Sequence, residues 1–115
     1  MLKLYGLANC DRCRRARRDL EARGHSVEMI DLRRLADSGA LDDALLSRFL
    51  TYVEWTTLLN RRSTTWRQLD DATRADLDQA RACALIKTHP SLIQRPVLDT
   101  GEQVLVGADV DTYTA

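Results

Sequence analysis

Two cysteines separated by two residues, Cys10-Asp11-Arg12-Cys13, stand where a short apolar strand, Leu2-Lys3-Leu4-Tyr5, gives way to an arginine-rich helical run. The turn Gly6-Leu7-Ala8-Asn9 joins the two. From Asp11 to Arg23 the apolar positions Cys13, Ala16 and Leu20 recur at spacings of three and four, which predicts a helix with one narrow buried face and Arg12, Arg14, Arg15, Arg17 and Arg18 in solvent. Gly24 supplies its C-terminal cap. Ser26 to Asp31 predicts a second strand, with Val27 and Met29 on one face and Ile30 beginning the other. A strand, a helix and a strand this close together are most simply a right-handed crossover between parallel neighbours.

Downstream the pattern is helical. Leu41, Leu45, Phe49 and Val53 line one side of a helix starting near Asp42, with Leu46 and Leu50 widening the stripe. Trp55 to Leu59 reads as a shorter turn or helix. Capping-box spacing at Thr65/Gln68, and less typically at Thr73/Asp76, predicts two more helices, the second running to about Thr88 before Pro90 halts it. Val97 to Asp99 and Val104 to Val106 predict a hairpin turned at Gly101 and closed by Gly107, with Asp109 capping a short last helix. The order β-α-β, a helical block over about residues 40–90, then β-β-α predicts a single α/β domain over residues 1–115. With Cys-x-x-Cys between the first strand and the first helix, that order suggests a thioredoxin-like mixed sheet carrying a helical insertion.

A chain of 115 residues buries roughly two thirds of its unfolded surface, enough for a core without staples. Lys plus Arg number 17 and Asp plus Glu 17, so no global charge draws it to nucleic acid or anionic lipid. The arginine run is interleaved with Asp11, Asp19 and Glu21 and has no aromatic companions for stacking, so it reads as a solvated face rather than a direct nucleic-acid site. Met1 to Gly6 is too short for a signal-peptide core, and no apolar stretch approaches the roughly 20 residues that span a bilayer. The expectation is a cytoplasmic protein with no membrane partner, whose three cysteines serve chemistry rather than a disulfide framework.

Cys10 is the candidate nucleophile. At a helix N-terminus the unpaired N–H groups and the macrodipole favour an anion, and thiols so placed titrate at roughly 3.5–7.5 instead of about 8.5. Cys13, one turn on, shares a face with Ala16 and Leu20; it is either the thiol that resolves a mixed disulfide at Cys10 or a half-buried small apolar residue. Cys83, among Ala82, Ala84 and Leu85, reads as a packed core thiol. Structural zinc needs four ligands, usually with a second Cys-x-x-Cys or a close His pair, and only Cys83, His25 and His89 are left to supply one, so no metal is expected. His25 falls in the loop after the first helix and His89 near a helix end beside Pro90. Arg95 stands before Pro96 at the mouth of a strand, where its planar fork can grip a carboxylate or oxyanion; the plainer alternative is a surface ion pair. Arg95-Pro96 is also the kind of bond at which a cis peptide is cheap. Trp55 and Trp66 read as core or groove aromatics.

Three segments, taken in order, resemble one family. Leu4-Tyr5-Gly6 with Asn9-Cys10-Asp11, Leu58-Leu59-Asn60-Arg61-Arg62-Ser63-Thr64-Thr65-Trp66-Arg67, and His89-Pro90-Ser91-Leu92-Ile93-Gln94-Arg95-Pro96 are similar to the arsenate reductase/Spx (ArsC-like) family of the thioredoxin-like superfamily, most closely its YffB-like subgroup. The resemblance spans almost the whole chain. It implies a thioredoxin-like core with an inserted helical bundle, a nucleophilic cysteine at Cys10, and a cis proline with an anion-gripping arginine at Arg95-Pro96. Arsenate reductases of that family form an arsenylated cysteine that glutathione attacks and glutaredoxin resolves. YffB-like proteins are regarded as glutathione-dependent thiol reductases. Spx-like members bind RNA polymerase and use Cys-x-x-Cys as a redox switch.

Asn60 and Gly107 fall where the arsenate reductases carry arginines, with Arg61 and Arg62 only nearby. Each charge-assisted bond to an oxyanion contributes about 1.5–3 kcal/mol, so losing two of three such cations disfavours arsenate. The resemblance therefore implies a glutathione-dependent thiol reductase with no bound cofactor. Cys10 attacks, Cys13 or a second glutathione resolves, and Asn9, Arg62, Arg95 and Pro96 form the binding site for glutathione or a small thiol or oxyanion substrate. Glutaredoxin is a further expected partner. The alternative from another class is a redox-gated, Spx-like regulator of RNA polymerase; a weaker one is a glutaredoxin-coupled arsenate reductase.

Overall fold

The computed structural model describes residues 1–114. Strands β1 (Leu2–Gly6), β2 (Val27–Asp31), β3 (Val97–Asp99) and β4 (Val104–Val106) form one mixed sheet in the order β2-β1-β3-β4. β1 and β2 are parallel, with Leu2 opposite Val27 and Gly6 opposite Asp31, and helix α1 (Asp11–Ala22) makes the crossover. β3 runs antiparallel to β1, Lys3 opposite Asp99 and Tyr5 opposite Val97, and turns back on β4 as the predicted hairpin. This is the thioredoxin-like mixed sheet with a helical insert that the sequence suggests.

Both faces of the inner strands are covered, so alternate residues serve separate cores. Leu4 and Leu98 pack with Ala16 and Leu20 of α1 and with Val110 and Tyr113. Tyr5 and Val97 face the helical insert, where Phe49, Ile86 and Leu92 are sealed from solvent. Tyr5 meets Phe49 edge-on, the ring centres 5.0 Å apart. β2 follows the same division, Val27 and Met29 lying against the α1 side and Ile30 against the other. Gly24, at φ +91°, ends α1 in a Schellman turn: its N–H donates to the Glu21 carbonyl and that of His25 to the Leu20 carbonyl.

The helical region departs from prediction in several places. No helix is predicted between Asp31 and Leu41, yet α2 (Leu32–Ser38) leaves β2 directly, its start fixed by the Asp31 carboxylate, which accepts from the Arg33 and Arg34 N–H groups. Helix α3 (Asp43–Tyr52) starts near Asp42 as expected, with the Asp42 carboxylate accepting the Leu45 N–H as its cap, and α4 (Trp55–Leu58) is the short helix after it. Helix α5 (Thr64–Gln68) is capped by Ser63, not Thr65; the Ser63 hydroxyl accepts from the Trp66 N–H, which frees the Thr65 hydroxyl to bond Ser91 at 2.6 Å.

The single helix predicted from Thr73 to Thr88 is two, α6 (Asp71–Arg74) and α7 (Gln79–Thr88). Asp70 and Asp78 each cap one of them, and Asp76 between them adopts the left-handed region at φ +52°, which interrupts any continuous helix. Near the C-terminus, Gly107–Thr112 winds as a 3-10 helix instead of an α-helix capped by Asp109, and extended backbone at Tyr113 ends it. An ion pair ties the insert to the sheet: Arg48 of α3 donates to both carboxylate oxygens of Asp99, at 3.0 and 2.9 Å. Among the described residues no helix is long and apolar enough to cross a membrane.

Candidate active site

The strand-to-helix handover places Cys10 at the N-cap of α1, with extended backbone (φ −100°, ψ 109°) and its sulfur accepting the Cys13 N–H at 3.3 Å. One turn later Cys13 is fully buried, and its thiol donates to Cys10 Sγ at 2.7 Å. The two sulfurs are therefore in contact, both as free thiols, and they are not equivalent. Burial, and then the hydrogen bond to Cys10, push the Cys13 thiol up to about 12, with the Leu7 backbone and the Arg95 charge pulling weakly the other way. Cys10 is half-buried and opens onto a groove. The close seat of Cys13 depends on Gly6: a Cβ there would lie 2.5 Å from Cys13 Sγ and 2.9 Å from Cys13 Cβ.

The groove, about 490 Å³, brings four of the predicted site residues together: Asn9, Cys10, Arg62 and Arg95. Pro96 is buried and does not line it; its peptide bond with Arg95 is cis, as the sequence suggests. Cys13 lies beneath Cys10 rather than on the groove wall. Residues 58–60 are zipped to residues 92–94: the Asn60 N–H donates to the Leu92 carbonyl and the Gln94 N–H to the Leu58 carbonyl, each at 2.7 Å, around the bridge Leu59–Ile93. The Asn60 side chain then accepts the Arg62 N–H at 2.9 Å, shaping the loop that carries Arg62 to the groove. Arg61 does not line it; its guanidinium sits 5.9 and 5.8 Å from the ring centres of Trp55 and Trp66, and neither tryptophan lines the groove.

Sequence reasoning misses Arg33, which joins the groove from the first turn of α2. The signal is present in Asp31 as a cap, the apolar set Leu32, Leu35 and Ala36, and the terminating Gly39, but it covers only two turns directly after a strand. Hydroxyls of Ser63, Thr64, Thr65 and Ser91 complete the wall. Among the described residues no carboxylate lines the groove, and no ion pair or side-chain hydrogen bond engages the guanidinium of Arg33, Arg62 or Arg95. Three unpaired cations beside a thiol form a site for an anion. Cys83, by contrast, is half-buried against α3, and burial raises its thiol. Among the described residues no group of three or more His, Cys, Asp or Glu side chains is placed to hold a metal ion.

The model of the ArsC family matches residues 5–115, a span that includes every residue of this groove. The chain belongs to the ArsC family. This ArsC-family protein is 32% identical over 115 residues to an uncharacterized protein of Haemophilus influenzae, an alignment covering 100% of this chain and 97% of the relative. Among solved structures, a YffB protein superposes with a TM-score of 0.87 at 38% identity, covering 98% of this chain and 96% of its own. An arsenate reductase (ArsC) related protein from Brucella melitensis follows at 0.75 and 36%, covering 97% and 92%. The YffB likeness agrees with the subgroup that the three sequence segments indicate. Gly107 sits at φ +64°, and a Cβ there would come within 3.2 Å of the Gln94 side chain, so an arginine at that place would be strained as well as crowded.

Proposed function

We propose that the protein is a glutathione-dependent thiol reductase in which Cys10 attacks as the thiolate. One observation carries this reading: the half-buried sulfur of the pair is the acceptor of two hydrogen bonds, from the Cys13 N–H and the Cys13 thiol, and it faces a groove whose three guanidiniums have no ion pair and which has no carboxylate in its wall among the described residues. In the first step Cys10 Sγ attacks one sulfur of a disulfide, forming a mixed disulfide at Cys10 and expelling the other half as a thiolate. In the second step, one glutathione attacks Cys10 Sγ and expels the remaining half as a thiolate, and a second attacks the glutathione sulfur now on Cys10, releasing Cys10 and glutathione disulfide; in the other route Cys13 gives up its proton, attacks Cys10 Sγ and expels that half as a thiolate, closing a Cys10–Cys13 disulfide that two glutathiones then reduce. The overall exchange consumes two glutathiones per disulfide, yields glutathione disulfide, and needs no metal.

The departures at Asn60 and Gly107 favour a carboxylate-bearing thiol over a tetrahedral oxyanion as the bound anion. The Cys10–Cys13 contact supports one other use of the site, as a redox switch of the Spx kind without turnover. Mass spectrometry after exposure to oxidised glutathione tests the reductase reading: Cys10 takes up glutathione and outpaces Cys83 in alkylation at mildly acidic pH. Equal reactivity of Cys10 and Cys83 overturns it. Turnover of a disulfide with excess glutathione separates the enzyme from the switch.

A further inference from the structure

We infer that Arg33 is a specificity-determining residue, which with Arg62 and Arg95 makes the groove select a thiol carrying two carboxylates remote from its sulfur. This rests on the reductase reading above and names the cosubstrate class that its site takes. The three guanidiniums come from separate parts of the chain: the first turn of α2, the loop before α5, and the residue before cis Pro96. Arg33 is anchored on both sides. Its neighbour Leu32 is fully buried in the core, and its own N–H is held by the Asp31 carboxylate at 2.8 Å.

That same carboxylate also accepts the Arg34 N–H at 3.2 Å, so it is committed to capping the backbone, and its hydrogen bonds leave the Arg33 guanidinium unengaged. A cation fixed in place without a carboxylate beside it is complementary to an anion that arrives with a ligand. The groove of about 490 Å³ falls in the range of small-molecule sites, far larger than one tetrahedral oxyanion needs. Arg95 belongs with the sulfur end, since it stands two residues before Val97, which pairs with Tyr5 of β1, the strand whose end turns into Cys10. This leaves Arg33 and Arg62 for the carboxylates at the far ends of a peptide-like thiol.

The test compares single-turnover rates of Cys10 with oxidised glutathione and with the neutral bis(2-hydroxyethyl) disulfide, in wild type, Arg33→Gln, Arg33→Lys and Arg34→Gln. Arg34 carries the same charge on the same turn but does not line the groove. The wild type prefers oxidised glutathione. Arg33→Gln lowers that preference about tenfold, as expected for one charge-assisted pair. Arg33→Lys, which keeps the charge but loses the fork, falls between, and Arg34→Gln keeps the wild-type ratio. An unchanged ratio in Arg33→Gln, or an equal fall in Arg34→Gln, overturns the role of Arg33 while leaving Cys10 as the nucleophile. A Cys10 inert to both disulfides overturns the reductase reading and this inference with it.

Discussion

Replacing Gly6 by alanine probes the packing that holds the two thiols together. The new methyl group would sit 2.5 Å from Cys13 Sγ and 2.9 Å from Cys13 Cβ, where ordinary contact begins near 3.4 Å. Sulfur alone could swing aside, but Cβ is fixed to the α1 backbone, so the helix must lift from β1 by roughly 0.5–1 Å. Overpacking of this kind costs about 1–3 kcal/mol, and for a domain of this size each kcal/mol lowers Tm by about 4 °C. Thermal and urea unfolding of the reduced protein should therefore show Gly6→Ala melting some 4–12 °C below wild type. The same displacement carries Cys13 Sγ away from Cys10, so in a glutathione redox buffer the share of protein oxidised to the Cys10–Cys13 pair falls and the glutathionylated share rises. Adding Cys13→Ala removes the sulfur clash, and the double variant should be more stable than additivity predicts by about 0.5 kcal/mol or more. A Gly6→Ala protein that melts with wild type and keeps its disulfide share would refute the reasoning.

Three further outcomes follow from the same geometry. Arg95→Met should slow the reaction of Cys10 with oxidised glutathione by about 10- to 100-fold, the value of one charge-assisted bidentate contact, and a wild-type rate in a stopped-flow assay would remove Arg95 from the site. Cys13 keeps its proton more tightly folded than unfolded, so its contribution to stability is complete below about pH 9 and is lost as pH rises toward about 12. Urea titrations across that window should show wild type losing up to about 1.4 kcal/mol more per pH unit than Cys13→Ala, and parallel curves would contradict the buried, protonated thiol. Asp99 is held below its usual value of 3.8, chiefly by its hydrogen bonds with Arg48, so its contribution is present above that pH and disappears as acid carries it through the lowered value. Asp99→Asn should cost about 1–3 kcal/mol at neutral pH and flatten the acid limb of the stability curve; wild-type unfolding at neutral pH would show that the pair contributes nothing.

What could be read from the amino acids alone divides along physical lines. The β-α-β unit was legible because both faces of β1 and the narrow face of α1 leave periodic apolar marks, and Gly24 ends the helix with a residue suited to left-handed backbone. Cys10, Asn9, Arg62 and Arg95 were nameable because thiol placement and the family segments point at them independently of packing. The helical insert was less legible because its caps compete. Ser63, Thr64 and Thr65 could each start α5; Ser63 caps it, and the Thr65 hydroxyl instead meets Ser91 from a segment far along the chain. Asp70, Asp76 and Asp78 likewise offer alternative starts, and α6 is separated from α7 by extended backbone at Ala75 and Asp78 with left-handed Asp76 between them. Arg33 was hidden by the same ambiguity: Asp31 both ends β2 and caps α2, so no break in the pattern announces the helix that carries it.

The unequal burial of the two cysteines also sets an order of events under the proposed chemistry. Cys13 is kept protonated first by burial and then by its hydrogen bond and charge interaction with Cys10. Once Cys10 is captured in a mixed disulfide, it can no longer carry a charge and its sulfur is a weaker acceptor, so its hold on the Cys13 proton loosens, while the Arg95 charge still favours the Cys13 thiolate. Cys13 thus becomes a better nucleophile only after Cys10 has been used, so it cannot compete for the first attack. Burial persists and remains its largest restraint, which keeps resolution by Cys13 slow against a small thiol arriving through the open groove. Glutathione therefore dominates release when plentiful, and Cys13 takes over when it is scarce. Cys13→Ala separates these regimes: turnover at high glutathione survives the substitution, whereas at low glutathione the variant accumulates as the Cys10 mixed disulfide seen by mass spectrometry. Accumulation that is equal in wild type and variant would mean that Cys13 packs and does not resolve.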